Sequence, residues 1–71
     1  MNISKLRNTM GLYQSEVAKR AKISLSHYCM IERHQRRPSL KVAKRLAKIF
    51  NIPDKWYELL EIPIKQKATT A

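Results

Sequence analysis

The chain is 71 residues long, which suits a single domain and leaves little room for a deep catalytic cavity beside a core. Fifteen lysines and arginines against five acidic residues give a formal net charge of +10, so the expected partner is a polyanion, either nucleic acid or an anionic membrane surface. The single cysteine, Cys29, excludes an internal disulfide framework, and no segment reads as a membrane span or a secretion signal. These features predict a cytoplasmic protein.

Helical periodicity recurs along the chain, and neither an alternation of apolar and polar residues nor a hairpin turn predicts a strand. The first predicted helix lines one face with Ile3, Leu6 and Met10. Asn2 supplies a side-chain oxygen for its N-cap, and Gly11, which tolerates a positive φ, ends it.

The second predicted helix begins near Gln14 and has an inner face of Val17, Ala18 and Ala21. Its N-cap position holds Tyr13, which lacks the short hydroxyl side chain that caps a helix well. The two alanines allow a neighbouring helix to approach closely.

The third predicted helix follows Ser24, a good N-cap, and spans residues 25–33. If Tyr28 points inward, the helical repeat places Ile31 inward as well. The outer face then holds Ser26, Met30 and Arg33, with Leu25 and His27 at its N-terminal end. The short connection to the second helix forces the tight corner of a helix-turn-helix. A hydroxyl and a thioether on the outer face can read base edges in a major groove, and the alternative is an ordinary solvated helix face.

A fourth predicted helix follows Ser39 and runs from Leu40 to Phe50, where Asn51 suits a left-handed stop, and a fifth begins at Pro53. The fourth has a basic outer stripe of Lys41, Lys44, Arg45 and Lys48, which we interpret as a solvated face rather than a second nucleic-acid surface. The predicted fold is all-α, a compact five-helix domain over residues 1–62 followed by a polar tail, residues 63–71, expected to be flexible.

The sequence indicates neither a metal site nor a catalytic site. His27, Cys29 and His34 do not have the spacing of a tetrahedral ligand set, and His27 and Cys29 diverge around the helix, so they cannot form a cysteine–histidine nucleophile. Paired carboxylates and a glycine-rich phosphate loop are also missing from the sequence. We therefore predict no enzyme activity, no metal and no cofactor.

The segments GLYQSEVAKRAKIS and SHYCMIERHQRRPSL resemble the phage repressor and Cro-type helix-turn-helix family, often called XRE-type, as part of a match over roughly residues 6–60. The matching elements are Gln14-x-x-x-Ala18, Ile23, Ile31-Glu32-Arg33 and Pro38-Ser39. The chain departs from the family at three positions: Tyr13 replaces a capping threonine or serine, Lys22 replaces a turn glycine, and His34 replaces the glycine after the Glu-Arg pair.

The resemblance implies a lambda-repressor-like fold and a role for several residues. It implies an internal ion pair between Arg7 and Glu32. The implied contacts with DNA bases are Ser24, Leu25, Ser26 and Met30, and we add His27 because it lies at the N-terminal end of the outer face. The implied contacts with DNA phosphates are Gln14, Arg33, Arg36, Arg37 and Ser39, and the implied dimer contacts are Trp56, Leu59 and Leu60.

The residues and the resemblance together predict a sequence-specific regulator of transcription, a repressor that binds double-stranded DNA as a homodimer on a palindromic operator. One alternative is an antitoxin-type regulator that also binds a toxin. Another is a non-specific basic module for RNA or an anionic surface. Membrane binding is less favoured, because no exposed apolar band accompanies the basic stripe.

Overall fold

The computed structural model describes residues 2–61. Its elements are α1 (Ile3–Thr9), α2 (Gln14–Ala21), α3 (Leu25–Glu32), α4 (Leu40–Ile49), a single 3-10 turn (Pro53–Lys55) and α5 (Trp56–Leu60). These residues contain no strand, which confirms the predicted all-α fold. The predicted tail, residues 63–71, and the predicted boundary at residue 62 lie outside the described residues.

Side-chain hydrogen bonds define where most of the helices begin. Asn2, Ser24 and Ser39 each accept the backbone N–H of the third residue of the following helix, at 3.0, 3.0 and 3.2 Å respectively. At α2 the Tyr13 ring takes no such part, as predicted, and the carboxylate of Glu16 instead accepts the backbone N–H of Tyr13 at 2.9 Å. All four starts therefore have a local polar anchor.

Left-handed residues end α1, α2, α3 and α4. Gly11, Lys22, His34 and Asn51 have φ values of +69°, +61°, +62° and +60°. In each case the next residue donates its N–H to a carbonyl five positions back, a bond of 2.8 to 3.1 Å, which closes the last turn as a Schellman motif. The predicted stops at Gly11 and Asn51 are confirmed. The predicted extension of α3 to residue 33 is wrong by one residue, because the chain leaves the helix after Glu32.

The inner faces predicted for α2 and α3 meet the apolar side of α4 in one core. Its buried residues are Ile3, Val17, Ala18, Ala21, Tyr28, Ile31, Val42, Ala43, Leu46, Ala47, Phe50 and Leu59. Met10 is not among them: it is 43% exposed, since α1 ends at Thr9 and the chain turns away at Gly11. The assignment of Met10 to the inner face was therefore wrong.

Two of the four residues in the basic stripe of α4, Arg45 and Lys44, make contacts within the protein. Arg45 is half-buried, and its Nη1 donates to the carbonyl oxygen of Ala21 at 3.2 Å, which ties α4 to the end of α2. The Lys44 Nζ lies 5.1 Å from the centroid of the Trp56 ring, a cation–π distance. Lys41 and Lys48 remain exposed. No helix among residues 2–61 has the length and apolar character needed to cross a membrane.

Candidate nucleic-acid interface

A three-residue connection sets the angle between α2 and α3. Lys22 takes the left-handed conformation, the Ile23 N–H bonds the Ala18 carbonyl at 3.0 Å, and Ser24 caps α3. The inner residues of both helices, among them Ala18 and Tyr28, belong to the same buried cluster. The pair therefore has the architecture of a helix-turn-helix.

The two sides of α3 differ sharply in exposure. Tyr28 and Ile31 are 0% and 1% exposed, whereas Leu25 and Met30 are 48% and 40% exposed. Ser26 is also exposed, and His27 and Cys29 are half-buried on the flanks. The outer face predicted from the helical repeat is thus open to solvent. The exposed side chain of Met30 is not part of the core.

The outer side chains of α3 border a surface depression of about 420 Å³. Its lining combines residues predicted to contact DNA with two that were not: it consists of Leu25, Ser26, Met30 and Arg33 together with Cys29 and Gln35. Ser24 and His27 do not line it, and the Ser24 Oγ already accepts the His27 N–H. Gln35 was missed because it lies beyond the end of α3. The signal that could have found it is His34, whose left-handed turn brings the next residue back to the helix.

The Glu32 carboxylate receives side-chain hydrogen bonds from three helices. Arg7 Nε from α1 lies 2.5 Å from its Oε2, Gln14 Nε2 from α2 lies 2.8 Å from its Oε1, and the Tyr28 hydroxyl donates to Oε2 at 2.7 Å. The Arg7 and Glu32 side chains are 13% and 6% exposed. Arg7 also donates through Nη1 to the Leu12 carbonyl at 2.9 Å. Glu32 therefore fixes the position of α3 relative to α1 and α2.

This network shifts the pKa of its members in directions that stabilise the ionised carboxylate. Burial acts to raise the pKa of Glu32, but the hydrogen bonds from Arg7, Tyr28 and Gln14 outweigh it and hold that pKa below its ordinary value. Burial, and then the hydrogen bond to Glu32, raises the pKa of Tyr28. The hydrogen bond to Glu32 raises the pKa of Arg7, so the cation is fully retained.

The residues assigned to DNA phosphates lie at the start of α2 and in the segment that follows α3. The segment after α3 contains the buried Pro38, and the four residues assigned to phosphates in it, Arg33, Arg36, Arg37 and Ser39, are all exposed. Gln14 is half-buried at the start of α2, and one hydrogen of its Nε2 is used by Glu32. The other hydrogen of this amide can be donated to a phosphate oxygen.

The residues assigned to a dimer contact do not share one surface. Leu59 is 0% exposed and packs in the core, so its assignment as a contact with a second chain is wrong for this conformation. Trp56 and Leu60 are half-buried against the core, and Tyr57 beside them is 45% exposed. In a helix as short as α5, the apolar Leu59 is used to pack the core.

Within residues 2–61, no group of three or more histidine, cysteine or acidic side chains is arranged to hold a metal ion. The exposed chemistry beside α3 is instead that of hydroxyl, thioether, amide and guanidinium groups, which bind through hydrogen bonds and charge.

Comparison with known proteins agrees with this geometry. Residues 3–57, well over half of the chain, match the model of a protein family described as helix-turn-helix. Searches of curated proteins and of solved structures gave no significant match. The family is a DNA-binding regulatory family whose members are not typically enzymes. The chain therefore belongs to the XRE-type helix-turn-helix family and is a DNA-binding regulator of transcription.

Proposed function

We propose that the protein is a sequence-specific repressor that places α3 in the major groove of double-stranded DNA. The observation that carries this proposal is the exposure of Ser26 and Met30 on the side of α3 opposite the buried Tyr28 and Ile31. In this motif the second helix enters the groove and its N-terminal residues approach the base edges first. The net charge of +10 favours rapid encounter with a polyanion.

The proposed base contacts differ in chemistry. The Ser26 hydroxyl can donate to or accept from a base, and the Met30 thioether can pack against a thymine methyl group. Leu25 cannot form side-chain hydrogen bonds, so its contact is apolar, with a thymine methyl or a sugar. Ser24 and His27, at the N-terminal end of α3, are weaker members of this set because neither lines the depression beside Met30.

The proposed phosphate contacts come from the two parts of the chain that flank α3 in sequence, the start of α2 and the segment after α3. Gln14 donates its second amide hydrogen, and the segment after α3 supplies Arg33, Arg36, Arg37 and Ser39. Phosphate contacts fix the orientation of a protein on the duplex and carry no sequence information of their own. Loss of one should therefore weaken binding to all sequences alike.

We further propose that two copies bind a palindromic operator in the cytoplasm, with α3 helices in major grooves about 34 Å apart. The contact between copies would use the exposed surface around Trp56 and Leu60 on α5, without Leu59. The single cysteine and the DNA partner support a cytoplasmic location.

Selection of bound sites from random duplex DNA at physiological salt tests this function. We expect the selected sequences to converge on a palindrome with two half-sites one helical turn apart. Recovery of any duplex without enrichment, with equal binding to A-form RNA, would favour the non-specific basic module and reject the proposal. A second small protein that co-purifies and competes with DNA would instead favour the antitoxin-type regulator.

A further inference from the structure

Among residues 2–61, Gln35 presents the only side-chain amide that borders the depression along α3, and it is exposed. The five other lining residues are Leu25, Ser26, Cys29, Met30 and Arg33, none of which carries an amide. An amide combines a donor and an acceptor in one plane, and this pair matches the N6 and N7 groups that adenine presents in a major groove. Among these lining side chains, Gln35 alone can therefore accept a hydrogen from N6 and donate one to N7 at the same time through a planar pair, since Ser26 has a single hydroxyl with only one hydrogen and lacks that pair.

Backbone hydrogen bonds hold Gln35 in this position. Its N–H donates to the carbonyl oxygen of Met30 at 2.8 Å, and the His34 N–H donates to that of Ile31 at 3.1 Å. These bonds close the Schellman motif in which His34 has a φ of +62°. Although Gln35 lies outside the helix, its backbone is thus fixed against the last turn of α3, while its side chain is exposed.

Gln35 differs from the neighbouring arginines in its place at the depression or in the base that its side chain matches. Arg36 and Arg37 follow in the sequence and are exposed, but neither lines the depression. Arg33 does line it, and a guanidinium group matches the two acceptors of guanine rather than the donor–acceptor pair of adenine. The guanidinium group of Arg33 and the amide of Gln35 therefore favour different purines.

We propose that Gln35 reads an adenine in each half-site of the operator, next to the base pair contacted by Met30. This inference rests on the proposed function, because it requires α3 to lie in a major groove. It extends the reading surface beyond the end of the helix. It also assigns to a residue outside the helix a share of the sequence specificity that the helix alone would otherwise carry.

The test repeats the selection from random duplex DNA with the wild-type protein, Gln35→Ala and Gln35→Glu. Wild type should select adenine at one position beside that altered by Met30→Ala. Gln35→Ala should lower the preference for adenine there by about 5- to 150-fold in relative affinity, and leave the other positions unchanged. Gln35→Glu should move the preference at the same position toward cytosine, whose N4 amino group donates to a carboxylate.

Asn8→Ala removes an exposed amide from α1 and serves as the matched control, which should select the wild-type sequence. Thermal melting checks that the Gln35 variants remain folded, as expected when only an exposed side chain is changed. If wild type selects a palindrome but Gln35→Ala keeps it intact, weakens all sequences alike, or changes a guanine position, the inference about Gln35 is wrong and the proposed function stands. If wild type selects no sequence at all, the proposed function itself fails.

Discussion

Glu32 is the residue on which the position of α3 depends. Its carboxylate is 6% exposed and is satisfied by one cation, one amide and one hydroxyl from three helices. A buried carboxylate is costly unless it is paired and hydrogen-bonded, so the network works as a unit. The Arg7–Glu32 pair was suggested by family resemblance, whereas the roles of Gln14 and Tyr28 in the same network could not be derived from spacing alone.

Replacement Glu32→Gln should lower the free energy of unfolding by about 2–4 kcal/mol, because Arg7 loses its counter-charge in a mostly buried position. Chemical denaturation measures this change. Glu16→Gln is the matched control, since Glu16 accepts only a backbone N–H at the start of α2, and should cost about 0.5 kcal/mol. The preference among DNA bases should be the same for Glu32→Gln as for wild type. Altered preference with unchanged stability would contradict the structural role.

The same network makes stability depend on pH at both ends of the scale. Because the pKa of Glu32 is lower in the folded chain than its ordinary value of 4.5, its contribution is complete above pH 4.5 and is lost as pH falls toward the folded pKa. Because the pKa of Tyr28 is raised above its ordinary value of 10.0, its contribution is complete below pH 10 and is lost as pH rises further.

Denaturation curves recorded across the pH range check these directions. Glu32→Gln should flatten the acid side, and Tyr28→Phe should flatten the alkaline side at the cost of one hydrogen bond, about 1 kcal/mol. An acid side equally steep in wild type and Glu32→Gln would show that other carboxylates dominate.

Among the elements, the helix ends show most clearly what the sequence could and could not predict. The N-caps at Asn2, Ser24 and Ser39 were predictable because a short polar side chain before an apolar repeat has one favourable role. The left-handed stops were predictable at Gly11 and Asn51, which tolerate a positive φ. His34 was harder to predict, because histidine, unlike glycine, adopts a positive φ only at a steric cost.

Introducing glycine at the end of α2 and removing it at the end of α1 should change the free energy of unfolding in opposite directions. Lys22→Gly should raise the free energy of unfolding by about 0.5–1 kcal/mol, because a lysine pays a steric cost at φ +61° that glycine avoids. Gly11→Ala should lower it by about 1 kcal/mol through backbone strain alone, since a Cβ atom at Gly11 would meet no other atom within 4 Å.

Thermal melting measures both variants, and for a domain of this size a change of 1 kcal/mol corresponds to about 4–8 °C. Asn51→Gly is the control, with a smaller gain than Lys22→Gly because asparagine tolerates the left-handed region. An unchanged melting temperature for Gly11→Ala would show that this turn relaxes without strain.

In the molecule as a whole, charge is distributed unevenly along the chain. Residues 2–53 hold twelve basic residues and only two acidic ones, Glu16 and Glu32, and both carboxylates accept internal hydrogen bonds. The other three acidic residues, Asp54, Glu58 and Glu61, lie in the last eight described residues. Among the described residues before Asp54, both carboxylates are therefore held by internal hydrogen bonds, which favours the approach of a polyanion to this part of the chain.

The helical repeat of α3 was sufficient to predict which of its side chains face the core and which face solvent, because Tyr28 and Ile31 leave only one orientation. It was not sufficient for positions fixed by tertiary contacts. Arg45 belongs to the basic stripe by spacing but bonds the Ala21 carbonyl, and Leu59 belongs to α5 but fills the core. Gln35 joins the outer face only through a turn that spacing does not describe.

In the proposed complex with DNA, the outer face of α3 reads bases while the segment after it binds phosphates. The most direct test measures, for Met30→Ala and Arg36→Ala, the ratio of affinities for the selected and a scrambled site, and the slope of log affinity against log salt. Met30→Ala should lower the free energy of discrimination between the two sites, calculated from this ratio, by about 1–3 kcal/mol and keep the slope. Arg36→Ala should keep the ratio and reduce the magnitude of the slope by about one. Lys48→Ala, which removes one exposed charge from α4, should change neither. If Met30→Ala and Arg36→Ala alter both quantities in the same way, the division of roles is wrong.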